Sequence, residues 1–174
     1  MVNKNKAFFF DRDGVLNKSI ITNSKPFAPK NLNDFIIYDE ALDVLNYIKS
    51  KNYLIFVVTN QPDVGNGFIS KSLVEKMHNK LLESLPIDRI YVCYHSQKDK
   101  CKCRKPELGM FYQAKKDFFF YNKKSFMVGD RFSDIEAGKK FKLKTILIGK
   151  GYAEKPTFNP DYGILSLVDL KTIV

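Results

Sequence analysis

Short, nearly continuous apolar runs alternate along this chain with longer stretches in which apolar side chains recur every three or four positions. Such alternation is typical of buried parallel strands that are joined by helices. The continuous runs predict strands at residues 7–10, 53–58, 89–93, 125–128 and 145–148, with a short edge strand at 162–164. The helical period predicts helices at residues 39–51, 70–85, 109–120 and 133–141. Together these elements predict an α/β fold with a central, mostly parallel sheet.

The chain has the size of one domain. Its 174 residues, 44% of them hydrophobic and 14% aromatic, are enough to bury one substantial core, and we expect a single domain over residues 1–174. A run of about 18 apolar residues would indicate a membrane-spanning helix, and none occurs. The polar start, Met1 to Lys6, does not resemble a secretory signal. We expect a cytoplasmic protein, and a monomer.

The formal net charge of +10 raises the question of a nucleic-acid partner. Only four of the 29 basic residues are arginine, and the lysines are scattered along the chain. This distribution predicts a generally basic surface and no nucleic-acid partner. A zinc-stabilised nucleic-acid-binding module remains the alternative from a different functional class.

Polar or reactive side chains follow four of the predicted strands. Asp11 follows the first strand, Thr59 the second, Cys93 the third and Asp130 the fourth. Ligands of an open α/β sheet collect beyond the carboxyl ends of its strands. We therefore expect these four positions to meet at one edge of the sheet.

Asp11 and Asp13 form the most informative pair of the chain. Carboxylates two residues apart at a strand end point to the same side and suit a hard divalent cation, most readily Mg²⁺. Asp130 is placed to add a further carboxylate to that cation. We predict that Asp11 is a nucleophile toward phosphorus and that Asp13 is the general acid and base.

Four further residues complete this predicted phosphoryl-transfer site. Thr59 and Asn60 can donate hydrogen bonds to phosphoryl oxygens, and Lys105 supplies positive charge where those oxygens gain negative charge. The planar guanidinium of Arg104 suits recognition of a substrate anion. Asp134 is expected to act indirectly, at the start of a helix.

Three thiols and one imidazole lie close together in the sequence: Cys93, His95, Cys101 and Cys103. This set is a complete tetrahedral shell for Zn²⁺, and four protein ligands leave no open position. We therefore predict a structural zinc site that fixes the loop carrying Arg104 and Lys105. His78, inside a predicted amphipathic helix, is expected at the surface or core edge and not as a ligand.

In four motifs and in the order in which they occur along the chain, the sequence resembles the haloacid dehalogenase (HAD) superfamily of phosphatases. The motifs are residues 11–17 (Asp-Arg-Asp-Gly-Val-Leu-Asn), 59–61 (Thr-Asn-Gln), 104–106 (Arg-Lys-Pro) and 129–134 (Gly-Asp-Arg-Phe-Ser-Asp). With the zinc loop, the chain is similar to the heptose 1,7-bisphosphate phosphatases and the histidinol-phosphate phosphatases. The resemblance implies a three-layer Rossmann-like fold without a large cap domain, and the polar insert at residues 17–34 is expected to be a loop.

The resemblance also implies the roles of individual residues. Asp11 would be the nucleophile and Asp13 the acid and base, with Mg²⁺ bound by Asp11, by Asp130 and by the backbone carbonyl of Asp13. Thr59 and Lys105 would stabilise the phosphoryl group. The implied substrate contacts are Asn17, Asn60, Gln61, Arg104 and Arg131.

Two substrates remain open within this chemistry. The residues after Asp13 and the loop 61–67 look closer to the heptose enzymes, which favours removal of the 7-phosphate of D-glycero-D-manno-heptose 1,7-bisphosphate. The five-residue gap between His95 and Cys101 looks like the histidinol branch. Pro62-Asp63-Val64 also departs from the Ser-Gly-Ile that heptose enzymes often carry.

Overall fold

A computed structural model of the chain describes residues 6–23, 25–152 and 155–174. Its central sheet has six strands in the order β5-β4-β1-β6-β7-β8, and every neighbouring pair is parallel. These strands are β1 (Lys6–Phe10), β4 (Tyr53–Asn60), β5 (Arg89–Cys93), β6 (Phe126–Gly129), β7 (Lys144–Ile148) and β8 (Tyr162–Ile164). All six predicted strands are therefore confirmed.

The predicted helices are present with small changes at their ends. The four predicted helices are α1 (Ala41–Ser50), α3 (Lys71–Ser84), α4 (Gly109–Asp117) and α5 (Phe132–Lys140). A short helix that was not predicted, α2 (Pro62–Gly65), lies in the loop 61–67, and 3₁₀ turns lie at Gln97–Asp99, Asn122–Lys124 and Leu167–Thr172. Helix α4 is shorter than predicted because Phe118 is extended and the chain then turns Phe120 into the core. Within the described ranges, no helix has the length and apolar content that a membrane span requires.

The sheet separates two layers of the core. Successive side chains of a strand point to opposite faces, so Phe8 and Phe10 pack toward α1 and α3, while Phe9 packs toward α4 and α5. Both faces of β1 are thus buried, which explains why its apolar run does not alternate with polar residues. This arrangement confirms the three-layer α/β fold.

The polar insert at residues 17–34 is not entirely a loop, and this prediction was wrong in part. It contains a short antiparallel hairpin, β2 (Ile20–Thr22) and β3 (Lys25–Phe27), in which Ile20 pairs with Phe27. Each strand has three residues and most of its side chains are exposed, so no buried face imposes an alternating pattern on the sequence. Residues of β3 line the same cleft as Asp11, which follows β1.

Phe9 gives a test of the core. Its ring is fully buried and contacts the rings of Phe56, Phe111 and Phe120. We expect Phe9→Ala to lower the free energy of unfolding by about 3–5 kcal/mol because the sheet cannot close such a cavity. Urea denaturation measures this loss. The control is Phe119→Ala, a 63% exposed ring, which we expect to change stability by no more than about 0.5 kcal/mol.

Candidate active site

The carboxyl ends of β4, β1 and β6 open into one cleft of about 620 Å³. Seven residues of the predicted site line it: Asp11, Asp13, Asn60, Arg104, Lys105, Asp130 and Arg131. Residues 25–28 of the hairpin form part of its wall. Thr59 is 1% exposed and, like Asn17 and Gln61, belongs to the layer of buried polar residues rather than to the cleft wall. The four motifs thus converge as expected from the strand order.

Lys105 lies at the centre of the buried charges. Its Nζ is 2.8 Å from Asp11 Oδ1 and 2.7 Å from Asp134 Oδ1, and it donates a third bond of 2.6 Å to the carbonyl oxygen of Val58. Burial alone would lower the pKa of Lys105, but the two carboxylates raise it above its ordinary value. The ammonium group is therefore held charged beside Asp11, where a phosphoryl group would gain negative charge.

Three carboxylates lie close together beside Lys105. Oxygens of Asp11, Asp130 and Asp134 lie within 4.8 Å of one another, and all three residues are buried. Burial, with the neighbouring carboxylates, raises the pKa of Asp11 to about 6 and that of Asp130 to about 8. These raised pKa values show that the carboxylates repel one another in a buried place, and a bound cation would relieve that repulsion.

The donor atoms of the cluster fit Mg²⁺. Oδ2 of Asp130 accepts a hydrogen bond of 2.8 Å from the hydroxyl of Tyr152, whereas the buried Oδ1 has no hydrogen-bond partner among the described residues. A buried carboxylate oxygen without a donor is suited to a metal ligand, and Mg²⁺ takes a few carboxylates together with water and phosphate oxygens. Asp11 and Asp130 would hold the ion, and Asp134 is committed in part to Lys105.

The turn after Asp11 brings its segment against Asp130. Gly14 has φ +82°, and a Cβ built on it would lie 2.0 Å from Asp130 Oδ2. Only glycine meets both conditions, since other side chains are strained at this φ and would collide with the carboxylate. Gly14 therefore allows the close approach that the metal cluster requires.

The carboxylate of Asp13 lies outside the acidic cluster and is surrounded by donors. Its Oδ1 accepts from Arg12 Nη2 at 3.1 Å and Asn17 Nδ2 at 2.9 Å. Its Oδ2 accepts from Arg12 Nε at 3.2 Å and Gln61 Nε2 at 2.8 Å. Asn17 and Gln61 are fully buried, so the structure corrects their predicted role as substrate contacts. Their amides donate to the Asp13 carboxylate and fix its position. A largely buried carboxylate needs such donors on both oxygens.

Thr59 and Asn60 differ in what they can offer a phosphoryl group. Oγ1 of Thr59 accepts a bond of 2.9 Å from Gln61, which uses an oxygen lone pair and not the hydroxyl proton. The amide of Asn60 binds the backbone of Lys105 twice, donating to its carbonyl at 3.1 Å and accepting from its N–H at 3.0 Å. Asn60 therefore fixes the loop that carries Lys105, and because it also lines the cleft, its contact with a phosphoryl group or substrate stays a prediction.

The remaining cations of the site face the cleft. Arg104 lines it, and Nη1 of Arg104 is buried without a hydrogen-bond partner in the part of the chain that the structure describes. Arg131 also lines the cleft at the start of α5, where its backbone N–H donates to Asp134. Asp134 thus caps a helix and pairs with Lys105, in line with its expected indirect role. Lys25 and Tyr152 also lie on the cleft wall, and the sequence did not predict them because neither lies in a motif.

The four predicted zinc ligands form one compact cluster. Five of the six separations among the three cysteine sulfur atoms and Nδ1 of His95 range from 3.2 to 3.6 Å. Ligands at zinc-binding distances in a tetrahedron are separated by about 3.5–3.8 Å, so the arrangement suits a bound ion. Burial opposes ionisation of Cys101, yet backbone N–H groups of Arg104 and Cys103 lower its pKa to about 7. The cluster is therefore joined directly to the segment that carries Arg104 and Lys105.

Comparison with known proteins agrees with this geometry. A family model described as polynucleotide kinase 3 phosphatase matches residues 6–151. The chain belongs to this phosphatase family and thereby to the HAD superfamily. Among its relatives, a D-glycero-alpha-D-manno-heptose-1,7-bisphosphate 7-phosphatase of Campylobacter jejuni is 35% identical over 150 residues, which cover 83% of each protein.

Two further comparisons cover nearly the whole chain. A D-glycero-beta-D-manno-heptose-1,7-bisphosphate 7-phosphatase of Haemophilus influenzae is 35% identical over 184 residues, covering 98% of this chain and 97% of the relative. The crystal structure of D,D-heptose 1,7-bisphosphate phosphatase from B. bronchiseptica, complexed with magnesium and phosphate, has a TM-score of 0.79, covers 97% of both chains and is 21% identical. That structural likeness supports the shared HAD fold.

Asp130 gives a test of the metal cluster. Its raised pKa means that the folded protein resists the charged form, so apo stability falls as the pH rises from about 4 through about 8. We expect Asp130→Asn to unfold at a higher temperature than wild type in chelator at pH 9. Magnesium at 100 times its Kd should raise the wild-type Tm by about 5–10 °C and leave the variant unchanged.

Asp161→Asn is the matched control for this experiment. The carboxylate of Asp161 pairs with Lys139 and accepts from Thr145, and its pKa is lowered by these partners although burial opposes them. Asp161→Asn should therefore lower the Tm, while magnesium should still raise the Tm of this variant. Equal magnesium-dependent shifts in wild type and Asp130→Asn would contradict the assignment.

Proposed function

We propose that this protein is a Mg²⁺-dependent phosphomonoesterase that removes the 7-phosphate of D-glycero-D-manno-heptose 1,7-bisphosphate. The observation that carries the proposal is the juxtaposition of the Asp11 carboxylate, the charged Lys105 and the unpartnered Asp130 oxygen in one cleft. Relatives that are named heptose bisphosphate phosphatases and share about a third of their residues with this chain support the choice of substrate.

The proposed reaction has two steps on the same phosphorus atom. Asp11 attacks phosphorus, the bond to the sugar oxygen breaks, and Asp13 in its acid form gives that oxygen a proton. Asp13 then takes a proton from water, which attacks the aspartyl phosphate and regenerates the carboxylate of Asp11. Lys105 stabilises the charge on the phosphoryl oxygens throughout. Bound Mg²⁺ would offset the repulsion between the phosphate and the attacking carboxylate.

Substrate selection is assigned to the cations that face the cleft. Arg104 has a buried, unpartnered Nη1, and a guanidinium binds phosphate oxygens in a planar, bidentate manner. Arg131 lies on the same wall and Lys25 approaches from the hairpin. A substrate with a second phosphate suits such a cleft, because one anionic group can react while the other is bound.

Phosphate release from a substrate panel tests this function. We expect the highest kcat/KM for heptose 1,7-bisphosphate, with heptose 7-phosphate and histidinol phosphate lower, and Asp11→Asn should leave only background release because an amide does not attack phosphorus. Asp43→Asn, a change at an exposed carboxylate on α1, should keep full activity. A preference for histidinol phosphate would replace the proposed substrate within the same chemistry. Steeply salt-dependent nucleic-acid binding without phosphate release would instead favour the binding-module alternative.

We further propose that Cys93, His95, Cys101 and Cys103 hold a structural Zn²⁺. The zinc would fix the loop that carries Arg104 and Lys105, since the backbone N–H of Arg104 donates to Cys101. A closed shell of three thiolates and one imidazole leaves no position for substrate. The ion is therefore assigned to folding and not to the phosphoryl transfer.

Elemental analysis and thermal unfolding test the zinc site. We expect about one zinc per chain in the wild type and substantially less in Cys101→Ser, with a lower Tm and a lower kcat/KM, because the loop loses its anchor. Lys102→Ser changes an exposed residue of the same loop and should retain the metal, the Tm and the activity. A wild type without zinc, or a Cys101→Ser variant with unchanged stability, would contradict this assignment.

A further inference from the structure

Arg12 is a buried cation that the reaction described above does not use. Its side chain is fully buried, and its guanidinium lies 5.3 Å from the centre of the Phe35 ring. Two of its nitrogens donate to the two oxygens of Asp13, and a third, Nη1, lies 3.2 Å from Nε2 of His78. The guanidinium therefore connects the acid and base of the site to a histidine on α3.

His78 serves this connection as a neutral acceptor. Arginine has no acceptor atom, so Nε2 of His78 must accept and the ring proton resides on Nδ1. Burial and the charge of Arg12 lower the pKa of His78 to about 4, which keeps the imidazole neutral at physiological pH. Nδ1 lies 4.0 Å from a carboxylate oxygen of Glu75. His78 was expected at the surface or core edge, but it is 4% exposed and belongs to the polar interior.

We propose that His78 is a positioning residue that orients Arg12 and, through it, the carboxylate of Asp13. Arg12 holds each oxygen of Asp13 from one side, while Asn17 and Gln61 hold them from the other. Without His78, Nη1 of Arg12 loses an acceptor in a region that excludes water, and the guanidinium can satisfy it only by moving. The inference rests on the proposed phosphatase function, in which Asp13 protonates the leaving oxygen.

Leaving-group dependence separates this role from a merely structural one. The kcat/KM value reports the steps up to departure of the leaving group. A sugar oxygen must be protonated as it leaves, whereas p-nitrophenolate leaves without a proton. Displacement of Asp13 therefore lowers kcat/KM for the sugar phosphate and not for p-nitrophenyl phosphate. General loosening of the site would lower both values alike.

The test compares three variants at position 78 with both substrates. We expect His78→Leu, which has no acceptor, to lower kcat/KM for the sugar phosphate by about 10- to 100-fold and for p-nitrophenyl phosphate by less than about threefold. His78→Gln, whose amide oxygen can take the place of Nε2, should recover the sugar-phosphate value to within about threefold of wild type. His78→Asn is polar but too short to reach Arg12, and it should behave as His78→Leu does. It also serves as the deciding variant if the leucine protein fails to fold.

Met77→Leu is the control for packing on α3, since Met77 is fully buried in the adjacent core, and it should affect both substrates equally little. Equal losses on the two substrates in the His78 variants, or no loss at all, would overturn the inference while the phosphatase function stands. A wild-type protein that hydrolyses neither ester overturns both.

Discussion

The ion pairs of Lys105 are the interaction on which the site depends. A buried ammonium is unfavourable unless it is paired, and here two carboxylates and a backbone carbonyl share it. Those partners come from β1, from β4 and from the first turn of α5, so one side chain connects three separate segments. Removing it would leave Asp11 and Asp134 facing each other without compensation.

Two independent supports hold that lysine in place. The amide of Asn60 fixes the backbone of Lys105 from β4, and the cysteine cluster fixes the preceding residue through a backbone hydrogen bond. A long, flexible side chain is thereby attached to rigid backbone on both sides. The arrangement explains how a loop residue reaches the precision that electrostatic stabilisation of a phosphoryl group requires.

Strand order in the sequence predicts which residues meet in this site. It does not predict which of several neighbours a side chain takes as its hydrogen-bond partner. Asp11, Lys105 and Asp130 follow from buried strands and the common edge of a parallel sheet. Asn60 and Gln61 lie in the predicted motif, yet their amides turn to Lys105 and to Asp13, a choice that only three-dimensional packing decides. The hairpin escaped prediction because three exposed residues per strand leave no periodic signal.

The shortness of that hairpin bears on the fate of a phosphorylated intermediate. Enzymes that pass a phosphoryl group to another alcohol must keep water away from it, and they do so by closing a lid over the reacting atoms. Two strands of three residues give little such shielding. An acyl phosphate formed on Asp11 would face the cleft of about 620 Å³, through which water can reach it. In the part of the chain that the structure describes, this openness favours hydrolysis over transfer to another alcohol.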